Sequence, residues 1–274
     1  MNIENNRDMF STEFLRDSAD LDYRIRGRKM DHRSAFSRFR GLLKPQLKVL
    51  AAGTLNATGG GAATGATGDE NYLTVGNETF EYHILGAGQT ILYPQKAATG
   101  LDIGMDQTND EGVEIGNGIV DGMPCSFTVG TDAAFHAKCK FSIADVSGTD
   151  DCAFGFRKAE DYQANVDDYD EMACLNVISG DIKIETILNN GTTSTTDTTD
   201  NWADAGTHTL EVYVSSTGVV TYKIDGAAPT TTATFTFDTG EVVVPFLFFL
   251  NAADLAGAVV LKEWDVAFQA TSPA

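Results

Sequence analysis

The sequence predicts an all-β chain: a sandwich of two antiparallel sheets preceded by an extended, partly helical N-terminal arm. Three observations predict it. Residues 202–268 read as strand, turn, strand, with almost nothing helical among them. Apolar and polar side chains alternate in 209–214 and again in 219–224, with Ser215-Ser216-Thr217-Gly218 between them and Asp225-Gly226 after them. Period-two alternation broken by glycine-containing turns gives antiparallel hairpins with one dry face and one wet face. Finally, 242–250 is a continuous apolar run, which suits a strand covered on both faces.

Taken in chain order, residues 1–50 form an arm of different character. Its stretch 34–44 predicts a short helix with Phe36, Phe39, Leu42 and Leu43 on one stripe, stopped before Pro45. Phe10, Phe14 and Leu15 offer a second small stripe, and neither piece can bury itself alone. Residues 51–69 turn to Gly, Ala and Thr, which is linker chemistry. The sandwich domain is expected over 70–274. Its strands begin with 78–85, 134–143 and 152–157, each alternating. Residues 160–172 are mixed and acidic and predict a short helix or a loop. A strand over 181–188 is followed by 189–201, all Gly, Thr, Ser, Asp and Asn, which reads as a long exposed loop. After the hairpins come 235–237, the apolar run and 259–268. In that last strand alternation puts Val259, Leu261, Glu263, Asp265 and Ala267 on one face, and Val260, Lys262, Trp264, Val266 and Phe268 on the other. Ten to twelve strands imply two packed sheets rather than a small barrel. The aromatic residues Phe235, Phe237, Phe246, Phe248, Phe249, Trp264 and Phe268 are expected in the sandwich core.

Composition narrows the function. A hydrophobic content of 42% supplies a core, and no apolar run approaches the ~20 residues of a membrane helix. The first residues lack the basic-then-apolar layout of a secretory signal, so synthesis and assembly in a cytoplasm are expected. Cys125, Cys139, Cys152 and Cys174 lack zinc-site spacing and are expected as buried free thiols. Residues 1–50 carry eleven Lys/Arg and seven Asp/Glu, leaving eight basic and thirty-two acidic residues in 51–274. A body with a net charge of −24 is repelled by phosphate backbones, which argues against nucleic-acid binding.

No catalytic constellation stands out. Glycoside hydrolases need two carboxylates flanking the scissile bond, and in folds of this type alternate acids on one strand supply them. The nearest approach is Glu263-x-Asp265, while Glu111 and Glu114 fall on opposite faces of a strand. Two acidic clusters, Asp106, Asn109, Asp110, Glu111 and Asp167, Asp168, Asp170, Glu171 with Tyr169, do not match the calcium-loop pattern and read as solvated loops. There is no Gly-x-Ser-x-Gly. His136 and Cys139, three residues apart on a strand, point to opposite faces. Neither a catalytic residue, a metal nor a cofactor is therefore expected.

The block Gly148–Lys158, with Phe154-Gly155-Phe156-Arg157-Lys158 at its end, is followed by Trp202 and by Thr221-Tyr222-Lys223-Ile224-Asp225-Gly226. Pro245-Phe246-Leu247-Phe248 and Lys262-Glu263-Trp264 close the pattern. Over residues 78–270 this resembles the concanavalin A-like jelly-roll domain found in virion structural proteins of tailed bacteriophages. The resemblance implies a jelly-roll sandwich that decorates or cements a capsid exterior, with the major capsid protein as partner and self-association, a trimer being plausible at three-fold positions. In that reading Arg24, Arg26, Arg28, Lys29, Arg33, Arg38 and Arg40 pair with acidic residues of the shell, and Phe36, Phe39, Leu42 and Leu43 anchor in a groove between subunits. The alternatives are an arm that wraps its own domain, a tail or fibre component with a lectin-like glycan-binding sandwich, and, more remotely, a glycoside hydrolase.

Overall fold

The computed structural model describes residues 71–75, 78–86, 94–97, 99–104, 109–116, 125–252 and 258–269. The arm and linker lie outside these residues. The strands are β1 (Asn71–Val75), β2 (Glu78–Leu85), β3 (Gln95–Ala97), β4 (Gly100–Asp102), β5 (Gly112–Gly116), β6 (Phe127–Thr128), β7 (Phe135–Ile143) and β8 (Thr149–Lys158). They continue with β9 (Met172–Ile178), β10 (Asp181–Ile187), β11 (Ser194–Asn201), β12 (Thr207–Val214), β13 (Val219–Ile224), β14 (Phe235–Thr236), β15 (Val242–Asn251) and β16 (Val259–Phe268). The larger sheet runs β1-β2-β5-β15-β8-β9-β10-β11, with β6 also on β15; the smaller runs β14-β13-β12-β7-β16-β4-β3. All pairings are antiparallel. This is the predicted jelly-roll sandwich, with sixteen strands among the described residues because short edge pieces add to those the alternation revealed.

Local chemistry accounts for the tight corners. β9 and β10 are joined by Ser179-Gly180 at φ of 49° and 91°, and Asp225-Gly226, at 52° and 83°, turns the chain just after β13 between Ile224 and its bridge partner Ala227. Both pairs sit in the left-handed region that a two-residue hairpin turn requires, where glycine avoids the Cβ penalty.

The core between the sheets is strongly aromatic. Trp264 of the smaller sheet packs edge-on against Phe80 and Phe154 of the larger, at 5.6 and 5.4 Å between ring centroids. Phe135 stacks on Phe127 at 4.3 Å and meets Phe156 edge-on. All four cysteines are buried free thiols, as expected.

Three expectations need correction. Residues 189–201 are not a loop throughout, because 194–201 form edge strand β11 on β10. An edge strand faces water on both sides and along its outer backbone, so its polar composition hides the β pattern, while its run of β-branched Thr suits an extended chain. In β16 the two predicted faces are mixed. A register shift against β7 between Leu261 and Glu263 puts Val259 and Leu261 in the same core as Trp264 and Val266. One extra residue flips every later side chain to the other face. Lastly, Phe237, Phe249 and Trp264 do lie in the sandwich core, with Phe235 and Phe268 packed at its margin, but Phe246 and Phe248 belong to a second cluster on the far side of the larger sheet.

Candidate functional site

That second cluster marks the outer face of the larger sheet as more than a solvated surface. Alternation sends Phe80, Tyr82, Val113, Ile115, Phe154, Phe156, Leu175 and Ile184 into the core. Their neighbours therefore face outward: Glu81 and His83 on β2, Glu114 on β5, Asp151 and Arg157 on β8, Cys174 and Asn176 on β9, and Glu185 on β10. Residues 159–171 connect β8 to β9 and contribute a strap over this face. The strap carries one 3-10 turn, Val166–Asp168, and turns Val166 and Tyr169 inward. It is thus a loop, one of the two forms expected for this stretch.

Beneath the strap lies a buried ion pair. Arg157 Nε donates to Glu114 Oε1 at 2.7 Å, and the two side chains are 0% and 1% exposed. Arg157 Nη1 donates to the carbonyls of Lys158 (2.9 Å) and Glu160 (3.1 Å), and the Tyr169 hydroxyl donates to Glu114 Oε2. The guanidinium carbon lies 4.4 Å from the Tyr169 ring centroid and 5.5 Å from that of Tyr162, which stacks on His83 at 4.4 Å. Burial pulls the Arg157 proton affinity down, but Glu114 more than reverses this and leaves it raised. Burial, seconded by the Glu114 charge, pushes the Tyr162 and Tyr169 phenols well above their ordinary range. The cluster is built to hold its charges still, with both partners desolvated and multiply bonded.

Beside it, Asn176 Nδ2 donates to Asp151 Oδ1 at 2.6 Å and to Glu185 Oε2 at 2.7 Å. Its Oδ1 accepts from the Cys152 amide at 2.9 Å, which fixes the amide orientation. Thr195 Oγ1 on β11 donates to Glu185 Oε1 at 3.2 Å. Burial, with the Glu185, Asp150 and Asp167 charges, lifts Asp151 to about 7 despite the Asn176 hydrogen bond. Burial likewise raises Glu185. In register beyond Asn176 lie Lys183 of β10 and, opposite it, Asp197 of β11.

The residues marked from sequence distribute elsewhere. Glu263 and Asp265 lie on the outer face of the smaller sheet and are matched by Lys140 at 3.4 Å and His136 at 3.5 Å, with Lys138 and Glu211 3.9 Å apart beside them. The acidic strap cluster diverges: Tyr169 turns inward, Asp167 accepts from Thr193, Asp170 pairs with Lys158 and Glu171 accepts the Asp238 amide. Among the described residues no three His, Cys, Asp or Glu side chains are grouped to hold a metal ion. Asp106 and the arm residues Arg24, Arg26, Arg28, Lys29, Arg33, Phe36, Arg38, Phe39, Arg40, Leu42 and Leu43 lie outside the described residues. Sequence reasoning passed over Asp151, Asn176, Glu185 and the Glu114–Arg157 pair. The available signal was ionisable residues alternating with core residues in otherwise apolar strands, since such a face must be satisfied by partners rather than by water.

No protein-family profile matches the chain, and no curated protein matches it. Among solved structures it resembles the metal-free carbohydrate recognition domain of Emp46p, with 8% identity over 69% of this chain and 89% of that one and a TM-score of 0.48. It also resembles the VIP36 exoplasmic/lumenal domain in its Ca2+/Man3GlcNAc-bound form, with 13% identity over 70% and 85% and a TM-score of 0.46. A third is the alginate lyase PA1167 from Pseudomonas aeruginosa, with 14% identity over 65% and 86% and a TM-score of 0.43. These neighbours include both sugar-binding domains and an enzyme, and at such scores the likeness assigns no activity to this chain.

Proposed function

We propose that this chain is a non-catalytic adhesion protein of a phage virion, a tail or fibre component whose sandwich binds glycan on the outer face of the larger sheet. The observation that carries the reading is the solvent-reaching pair Lys183 of β10 and Asp197 of β11, register partners beside the buried Asp151–Asn176–Glu185 group. Neighbouring strands are about 4.8 Å apart, so the pair sets a cationic donor and an anionic acceptor side by side, the kind of placed polar groups that orient a polyhydroxylated ligand. Lys183 is half-buried and Asp197 exposed, so both reach solvent without supporting the core. Sequence resemblance over residues 78–270 supports the virion half of the reading. The full-length protein is expected to bind a subset of neutral glycans on an array, and Lys183→Ala with Asp197→Ala to weaken that binding at least tenfold without changing thermal stability. An array with no bound glycan would sink the proposal.

A second reading, capsid decoration, is favoured by the charge partition between residues 1–50 and the acidic remainder. In it the basic arm binds acidic surfaces of the major capsid protein on the shell exterior, and copies self-associate, a trimer multiplying weak contacts into avidity. Full-length protein is then expected to co-sediment with undecorated capsids in a salt-sensitive way, and protein lacking 1–50 to remain in the supernatant. Equal pelleting of both would remove the arm from the mechanism.

A further inference from the structure

Asn176 stands on the outer face of the larger sheet, yet it is 0% exposed and its whole amide is held. The Cys152 backbone N–H donates to Oδ1 at 2.9 Å, and Nδ2 donates to Asp151 at 2.6 Å and to Glu185 at 2.7 Å. A backbone donor on the carbonyl oxygen stabilises negative charge that develops there when Cγ is attacked. Two carboxyls on the nitrogen are placed to protonate it as it leaves. They are unequal: Glu185 accepts on both oxygens, from Asn176 and from Thr195, whereas Asp151 accepts on Oδ1 alone. Burial lifts Asp151 to about 7, so a proton is at hand there near neutrality.

A nucleophile lies directly opposite. Lys183 of β10 is the register partner of Asn176, so the two side chains rise from one face with Cβ atoms about 4.5–5.5 Å apart. The four-carbon stem of lysine spans that gap, and no hydrogen bond or ion pair among the described residues ties its Nζ elsewhere. Glu185, two residues along the same strand, shares the face and is a base within reach of the amine. Burial of Asn176 keeps out water, the competing nucleophile.

We propose that Lys183 Nζ and Asn176 Cγ are joined by a spontaneous amide bond, a covalent cross-link between β10 and β9. The Lys183 ammonium gives one proton to Glu185, and the freed lone pair attacks Asn176 Cγ. Asp151 protonates Nδ2 as the Cγ–Nδ2 bond breaks, and takes a proton back from the attacking nitrogen. Ammonia leaves with the Glu185 proton as ammonium, so both carboxyls end as they began and no oxidant or cofactor is consumed. The bond closes only the short chain from 176 to 183, so it adds little to thermal stability and instead prevents the hairpin from unzipping at this pair. It forms with or without a glycan, and turns the ammonium beside Asp197 into a neutral N–H donor.

Mass spectrometry of the denatured full-length protein tests it. The intact chain is expected to fall short of its sequence mass by one ammonia. Trypsin is expected not to cut after Lys183, leaving 159–223 as one product with the same deficit. Lys183→Arg, at a half-buried position, is expected to restore both the full mass and the cut after 183. A parent chain of full sequence mass overturns the cross-link. So does an ammonia deficit with cleavage after Lys183 retained, since the loss then lies at another asparagine.

Discussion

Replacing Arg157 with methionine is expected to destabilise the sandwich by about 3–5 kcal/mol, because it strands the Glu114 carboxylate in a site closed to water. Arg157 is wholly buried and its guanidinium serves Glu114 and two main-chain carbonyls at once. No solvent is available to take over those roles, which separates this pair from the exposed Lys140–Glu263 pair, worth no more than about 1 kcal/mol. For a domain of this size the loss corresponds to a melting temperature lower by roughly 6–20 °C. Removing both charges, Arg157→Met with Glu114→Leu, should recover most of it, since an apolar pair of similar volume leaves nothing ionised behind. Urea denaturation of the three proteins decides the matter, and a single-variant loss below about 1 kcal/mol would mean that water reaches the pair.

Truncating Trp264 to alanine is expected to cost a comparable amount, about 3–5 kcal/mol, through the cavity it leaves between the sheets. The indole touches Phe80 and Phe154 edge-on, so it ties the smaller sheet to two strands of the larger. Its Nε1 is buried without a hydrogen-bond partner among the described residues. Trp264→Phe should therefore be much milder than alanine, keeping an aromatic edge while removing an unsatisfied donor. Equal losses for the two variants, measured by thermal melts, would show that the indole ring is not the link between the sheets.

The fold class could be read along the chain, because period-two alternation, glycine turns and the 242–250 run are local consequences of a sheet with one dry face. Which cysteines and most of the aromatics lie inside was equally legible, since burial follows from the face a residue occupies. Three features were decided by tertiary structure. β11 exists because β10 offers it a hydrogen-bonding edge, which its Thr- and Asp-rich composition does not announce. Leu261 and Trp264 share a core only because the strand bulges between Leu261 and Glu263, and a bulge is set by pairing with β7. Asp151, Asn176 and Glu185 come from three strands spanning more than thirty positions and meet only when those strands pair side by side. Strand periodicity reports the face on which a side chain lies, whereas its neighbours on that face are fixed by register and by loops such as the 159–171 strap. For that reason the sandwich was readable along the chain, and the chemistry of its outer face was not.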